Sequence, residues 1–145
     1  MDMLYGFLLN YLFLSPVIGW LLACAFKAVL AAIRKKARVQ LKDGFSNGGM
    51  PSTHTAFVTN FTAAIALTQG FTPLFFACVI FSLVIISDSF GVRKNIGMQG
   101  DALNALLKKL KKDPINVVYG HSFVQVLAGM LWGVLSALIL YSILI

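Results

Sequence analysis

The chain has 145 residues, of which 59% are hydrophobic and 12% are charged, and its formal net charge is +7. A water-soluble domain of this length needs a much smaller fraction of hydrophobic residues. The composition therefore excludes an ordinary soluble domain and indicates a membrane protein. The positive charge suits either nucleic acid or anionic lipid, and the hydropathy favours lipid. Cys24 and Cys78 both lie in apolar runs, where we interpret them as small buried hydrophobes rather than disulfide partners.

Four apolar runs are long enough to cross, or nearly cross, a hydrocarbon layer that takes about 20 helical residues. They are residues 12–33, 54–70, 73–90 and 120–145. We therefore predict an all-α integral membrane protein, with about four transmembrane helices in a bundle and a single membrane domain over residues 1–145. Residues 1–11 lack the cationic start and cleavage pattern of a secretory signal. We expect them to form an interfacial turn or to extend the first span.

Eleven of the twelve Lys and Arg residues fall in two segments, 34–53 and 91–119. With four crossings these segments share one side, and the positive-inside rule makes that side the cytoplasm. We therefore expect a protein of the bacterial inner membrane, with both termini outside and the two basic loops cytoplasmic.

Residues 98–112 have the pattern of an amphipathic helix. Leucines recur on one helical stripe, and the lysines lie largely opposite, which predicts a cytoplasmic interfacial helix. Each of its four lysines favours anionic lipid headgroups by about 1 kcal/mol near the surface. The alternative is a solvated linker helix.

A small, polar turn at residues 48–55 lies between a basic segment and the second apolar run. Its two glycines allow backbone amides to approach a ligand closely. A helix that begins here points its free N–H groups at the same place, which suits an oxyanion such as phosphate.

With the predicted topology, three polar segments reach the same cytoplasmic membrane boundary. The turn with His54 begins the second span, Asp88 and Arg93 follow the third, and His121 with Gln125 begins the fourth. Both histidines of the chain are included. Two imidazoles beside cations and amide donors are what phosphate-ester transfer needs. The alternative for each histidine is an interfacial side chain that bonds a backbone carbonyl.

Lys27 lies inside the first apolar run, where a lysine costs a few kcal/mol unless it snorkels or finds an anion. Arg34 follows two helical turns later, so both project from one face. The alternatives are that Lys27 snorkels to water or pairs with Asp88. We expect no metal site, because these cations would repel a divalent ion and the chain has no Glu.

At this point the sequence resembles a known pattern. The blocks that carry the resemblance are residues 48–55, residues 88–93 with Gln99 and Leu103-Asn104, and Gly120-His121-Ser122. They resemble the divergent branch of the type 2 phosphatidic acid phosphatase family, which is related to vanadium haloperoxidases. The resemblance implies a metal-independent membrane phosphatase that acts on a lipid phosphate through a phosphohistidine and needs no cofactor.

The resemblance also implies roles for individual residues. His121 would be the nucleophile and His54 the general acid, while Lys27 and Arg34 look like the lysine-arginine block of the family. Asp88 and Gln125 would complete the catalytic set. The residues expected to bind phosphate are Lys27, Arg34, Gly49, Ser52, Thr53 and Arg93.

Three departures from the pattern concern the site. Gln125 stands where an acid usually orients the nucleophilic histidine, and a neutral amide does not stabilise imidazolium as a carboxylate does, so Asp88 is a candidate substitute. Ile115 stands where an arginine is usual, and Arg93 is its candidate replacement in space. Thr53 occupies a position where glycine is usual.

We therefore predict a phosphatase that hydrolyses a phosphomonoester or diphosphate on a lipid, such as phosphatidic acid, phosphatidylglycerol phosphate or polyprenyl diphosphate. Because of Gln125, the alternative is a non-catalytic lipid-phosphate binder or translocator. A third interpretation is a structural subunit, since Gly129, Gly133 and Ala137 permit close helix packing. The same glycines suggest a homo-oligomer. Nucleic acid is not an expected partner.

Overall fold

The computed structural model describes residues 10–46 and 48–145, and no strand occurs within them. The helices are α1 (Tyr11–Lys35), α2 (Leu41–Gly44), α3 (Thr53–Gln69), α4 (Pro73–Phe90), α5 (Val92–Lys109) and α6 (Phe123–Leu144). The all-α prediction is confirmed. Of the segment 1–11, residues 1–9 lie outside the described part, so its expected role is not addressed. Asn10 caps α1, because its side chain accepts a hydrogen bond from the Leu12 N–H at 2.9 Å.

Three helical stretches are long and apolar enough to cross a membrane: Tyr11–Lys35, the stretch Pro73–Lys109 that contains α4, and Phe123–Leu144. The membrane character of the protein is therefore confirmed. The remaining long helix, α3, has 17 residues, which is at the lower end of the length that crosses a bilayer, about 17 to 25 residues. A fourth crossing stays a prediction.

Two helix starts differ from the predicted positions. α5 begins at Val92 rather than near residue 98, directly after α4, with Gly91 between them. α6 begins at Phe123 rather than at residue 120. The reason at α6 is a capping box, in which Ser122 and Gln125 each accept a hydrogen bond from the other's backbone N–H. His121 therefore precedes the helix.

Helices α3 and α6 pack closely along a stripe of small residues. A Cβ atom on Gly129 would lie 2.5 Å from the Ser52 carbonyl oxygen, and one on Gly133 would lie 2.6 Å from the Ala56 carbonyl oxygen. Residue numbers rise in the same direction along both helices, from Gly129 to Gly133 and from Ser52 to Ala56. The two helices therefore run parallel and start at the same end of the bundle. Gly129 and Gly133 are thus covered by α3 of the same chain. This corrects the prediction that they form a contact between two copies of the chain. A homo-oligomer stays a prediction and would need another surface.

A buried network of side-chain hydrogen bonds connects three helices in the interior of the bundle. The Ser15 hydroxyl donates to Asn60 Oδ1, and Asn60 Nδ2 donates to Ser136 Oγ, both at 2.8 Å. Ser15 and Asn60 are completely buried. Hydrogen bonds of this kind between membrane helices contribute about 0.6 to 2 kcal/mol each, so the network fixes α1 and α6 against α3.

The segment after α5 folds back along that helix. Asn104 bonds both backbone groups of Ile115, with its Nδ2 donating to the carbonyl at 3.0 Å and its Oδ1 accepting from the N–H at 2.8 Å. The Tyr119 hydroxyl donates to Asp101 at 2.6 Å. Residues 113–121 therefore run back towards the end of α4. The binding of α5 to anionic lipid stays a prediction.

Candidate active site

Three segments that are far apart in sequence meet at one end of the bundle. The Ser52 N–H donates to the Gln125 carbonyl at 3.1 Å, and the His121 N–H donates to the Ser89 carbonyl at 3.0 Å. Gly120 allows the second contact, because a Cβ atom there would lie 2.6 Å from the same Ser89 oxygen. The turn before α3, the end of α4 and the start of α6 thus come together, as the charge pattern predicted.

The turn at residues 48–55 is shaped by two glycines and a helix cap. Gly48 and Gly49 have φ values of +74° and +81°, a backbone conformation that residues with a side chain rarely adopt. Ser52 is the N-cap of α3, and its Oγ lies 2.9 Å from Thr55 Oγ1 and accepts from the Thr55 N–H at 3.4 Å. Ser52 thus already caps α3, and both Ser52 and Thr53 are buried. Phosphate binding by Ser52 and Thr53 stays a prediction.

Lys27 is buried beneath this turn. Its side chain is only 3% exposed, and its Nζ donates to the Ser46 carbonyl. It also passes directly beneath Gly49, where a Cβ atom would lie 2.9 Å from Lys27 Cε. The alternatives in which Lys27 snorkels to water or pairs with Asp88 are therefore wrong. Gly49 is required both by its backbone angle and by the passage of the lysine.

His121 is buried and held from several sides. Its Nδ1 lies 3.3 Å from Gln125 Oε1, which also accepts from the Ser122 N–H at 2.9 Å. The Gly49 backbone lies within hydrogen-bonding range of the same ring. Burial lowers the pKa of His121 below its usual value, which favours the neutral imidazole. Gln125 thus occupies the position of the orienting acid.

His54 differs, because its side chain is exposed and makes no hydrogen bond within residues 10–46 and 48–145. It lies close enough to Arg93, Lys27 and Asp88 to interact electrostatically with all three. His121 interacts in the same way with Lys27 and His54. The structure therefore brings together both histidines, both of these cations and Asp88.

Asp88 forms an ion pair with Arg93, with 2.7 Å between Oδ2 and Nε. The two residues lie on either side of the α4–α5 junction, so the pair fixes the arginine near His54. The hypothesis that Asp88 replaces the missing acid beside His121 is wrong, because its carboxylate binds Arg93 and Gln125 contacts the ring.

Arg34 does not join this group. It is exposed on the last turn of α1, about 10 Å along the helix axis from Lys27, and it makes no hydrogen bond or ion pair with the described residues. Ser46 was not among the predicted site residues, and Ser89 was predicted only as a polar side chain at the end of the third span. Both contribute backbone carbonyls, which side-chain identity does not reveal. The glycine at position 120 was the available signal for the second contact.

The described residues contain no group of three or more His, Cys, Asp or Glu side chains that could hold a metal ion. Lys27 and Arg93 beside two imidazoles instead make a site suited to an anion.

A family model described as the divergent PAP2 family matches residues 8–136, a range that contains every candidate residue above. The chain belongs to this family. The predicted resemblance to divergent type 2 phosphatidic acid phosphatases is thereby confirmed. YuiD of Bacillus subtilis (strain 168), described as an uncharacterized membrane protein, is 32% identical over 113 residues, which cover 66% of this chain and 72% of YuiD. No solved structure matches the chain.

Proposed function

We propose that this divergent PAP2 protein is a membrane phosphatase that removes a terminal phosphate from a lipid phosphomonoester or diphosphate. The observation that carries the proposal is the pairing of a buried, tethered imidazole with an exposed one, beside Lys27 and Arg93. Membership of a phosphatase-related family supports the same reaction class.

In the first step, His121 Nε2 bonds to phosphorus and the bond between phosphorus and the lipid oxygen breaks. Gln125 holds Nδ1, which leaves Nε2 as the attacking atom. His54, in its imidazolium form, donates a proton to the leaving oxygen. The products of this step are phosphohistidine 121 and the leaving group, which is the lipid alcohol for a phosphomonoester and the lipid monophosphate for a diphosphate.

In the second step, a water molecule attacks phosphorus and the bond to His121 breaks, which releases inorganic phosphate. His54 is now neutral and takes the proton from that water, so that both histidines return to their starting states. No metal ion takes part in either step.

Positive groups stabilise the phosphoryl oxygens in both steps. Lys27 and Arg93 provide full charges, and the parallel helices α3 and α6 both begin at this end, so that both helix dipoles present their positive ends to the anion.

We assign the site to the cytoplasmic face of a bacterial inner membrane, with both termini outside. The support is the concentration of cations in the segments 34–53 and 91–119, which flank the site. The lysines at the end of α5 would hold that helix on anionic lipid at the same surface.

The test is phosphate release by the purified protein from phosphatidic acid and polyprenyl diphosphate in a metal chelator. We expect turnover by the natural protein and a loss of at least about 1,000-fold in His121→Ala. Unfolding temperatures should show that the variant is folded. Absence of phosphate release from every lipid, or full activity of the variant, would refute the mechanism.

The second candidate is a non-catalytic lipid-phosphate binder or translocator. The observation that favours it is the neutral Gln125 amide on His121, since imidazolium then lacks a carboxylate partner. In the same assay a binder would release no phosphate, and a radiolabelled sample of the same lipids would stay bound to the protein.

A further inference from the structure

An apolar cavity of about 460 Å³ lies between α1, α3 and α4 and borders the candidate site. Its size falls in the range of ligand pockets, about 300 to 1,000 Å³. The apolar residues that line it are Val17, Trp20, Phe57, Val58, Phe81 and Ile85. The remaining lining residue is His54, so the cavity and the candidate active site share one side chain.

The cavity extends from the site along the helices and is open at the surface of the bundle, since Phe57 and Phe81 are 38% and 64% exposed. On α4, Ile85 lies one turn and Phe81 two turns before Asp88, so the wall formed by this helix reaches about 10 Å inward. On α1, Val17 lies further from Lys27 than Trp20 does, which places Val17 at the inner end. A chain bound here would therefore have its polar end at His54 and its apolar end at Val17.

We propose that this cavity holds the hydrocarbon chain of the leaving group. The inference rests on the proposed function, in which His54 protonates the leaving oxygen. The group that carries that oxygen must then lie on the His54 side of phosphorus. His121 is buried on the other side, against Gln125 and Gly49, and does not line the cavity.

This assignment restricts the substrate class. Past His54 the only hydrogen-bonding side-chain group among the lining residues is the indole N–H of Trp20. A hydrophilic headgroup between the phosphate and the hydrocarbon would therefore lose most of its hydrogen bonds with water. The substrate therefore carries its phosphate on an alcohol that is itself apolar. Polyprenyl monophosphate fits this description, and phosphatidic acid comes close to it, because its diacylglycerol carries two esters but no charge. Phosphatidylglycerol phosphate does not fit, because its leaving group carries a charged phosphodiester and a free hydroxyl.

One test fills the inner end of the cavity with Val17→Trp. The control is Phe76→Trp, which enlarges an exposed side chain on α4 outside the cavity. The measurement is the ratio of kcat/KM for octyl phosphate to that for ethyl phosphate, in one detergent. Excluding two methylene groups should lower this ratio roughly tenfold in Val17→Trp and leave it unchanged in Phe76→Trp. An equal ratio in all three proteins would overturn the proposal.

A second test needs no variant and therefore does not depend on the folding of Val17→Trp. The natural protein should release phosphate from phosphatidic acid at least about tenfold faster, in kcat/KM, than from phosphatidylglycerol phosphate with the same acyl chains. Equal rates, or a preference for phosphatidylglycerol phosphate, would overturn the placement of the leaving group in the cavity but would leave the proposed phosphatase activity standing. No release from any lipid would overturn both proposals.

Discussion

The two histidines of this protein have opposite surroundings. His121 lies in a return segment whose backbone is bonded to Ser89 and whose ring contacts Gln125, and it is buried. His54 lies on the first turn of α3, is exposed, and borders an apolar cavity. One imidazole is fixed in place, and the other is accessible to a bound molecule.

This difference matches the two tasks of a phosphohistidine mechanism. A nucleophile has to meet phosphorus in one geometry, so tethering it lowers the entropy cost of the reaction. A general acid has to reach the leaving oxygen of the substrate, so it must border the space in which the leaving group binds. Under the proposed mechanism, substitutions around the two histidines should therefore lower activity in different ways.

The largest expected effect after loss of the nucleophile is that of His54→Ala. Removing a general acid lowers kcat by about 100-fold to 10,000-fold. The loss should shrink for an aryl phosphate whose leaving group is a stable phenolate, because that oxygen needs no proton. The measurement is kcat for an alkyl and an aryl phosphate in both proteins. The same loss for both substrates would contradict the role of general acid.

Lys27→Met should have the next largest effect. The substitution keeps an unbranched side chain beneath Gly49 but removes the charge, so kcat/KM should fall by about 10-fold to 100-fold, as expected for a charged hydrogen bond to phosphate. Arg38→Met is the control, since Arg38 is an exposed cation of the basic segment 34–53 and is not one of the candidate site residues. If both variants lose the same activity, the effect reflects general surface charge rather than the site.

Gln125→Glu should have the smallest effect, and its direction is a gain. Glutamate preserves the capping box with Ser122 and adds a carboxylate beside His121, which should raise turnover roughly fivefold at neutral or higher pH. A binder without chemistry would gain no turnover.

The pH profile of kcat/KM gives an independent measure of the same change. Burial lowers the pKa of His121, and the nucleophile must be neutral, so the acid limb of the natural protein should lie below the usual histidine pKa of about 6.5. The new carboxylate favours imidazolium and raises that pKa, which moves the acid limb of Gln125→Glu to higher pH. If the acid limb of the pH profile lies at the same pH in both proteins, it does not reflect the titration of His121.

Much of the site could be predicted from the sequence because charge and hydropathy act over whole segments. The apolar runs located the helices, and the cations placed His54, Asp88, Arg93 and His121 at one boundary. The contact partners of individual side chains were harder to predict from the sequence. Asp88 was a candidate partner of Lys27 and of His121, yet it pairs with Arg93, because α5 begins immediately after α4 and brings the arginine alongside it.

The sequence by itself determined that this protein is all-α, lies in a membrane, and has most of its candidate site residues at one end. Segment composition decides these features, because the cost of placing charge in hydrocarbon applies whatever the neighbours are. The tertiary structure decided which side chains touch: Lys27 beneath Gly49, Gln125 on His121, and Gly129 and Gly133 against α3. Those contacts depend on distances of a few ångströms between helices, and sequence spacing within one helix does not set them.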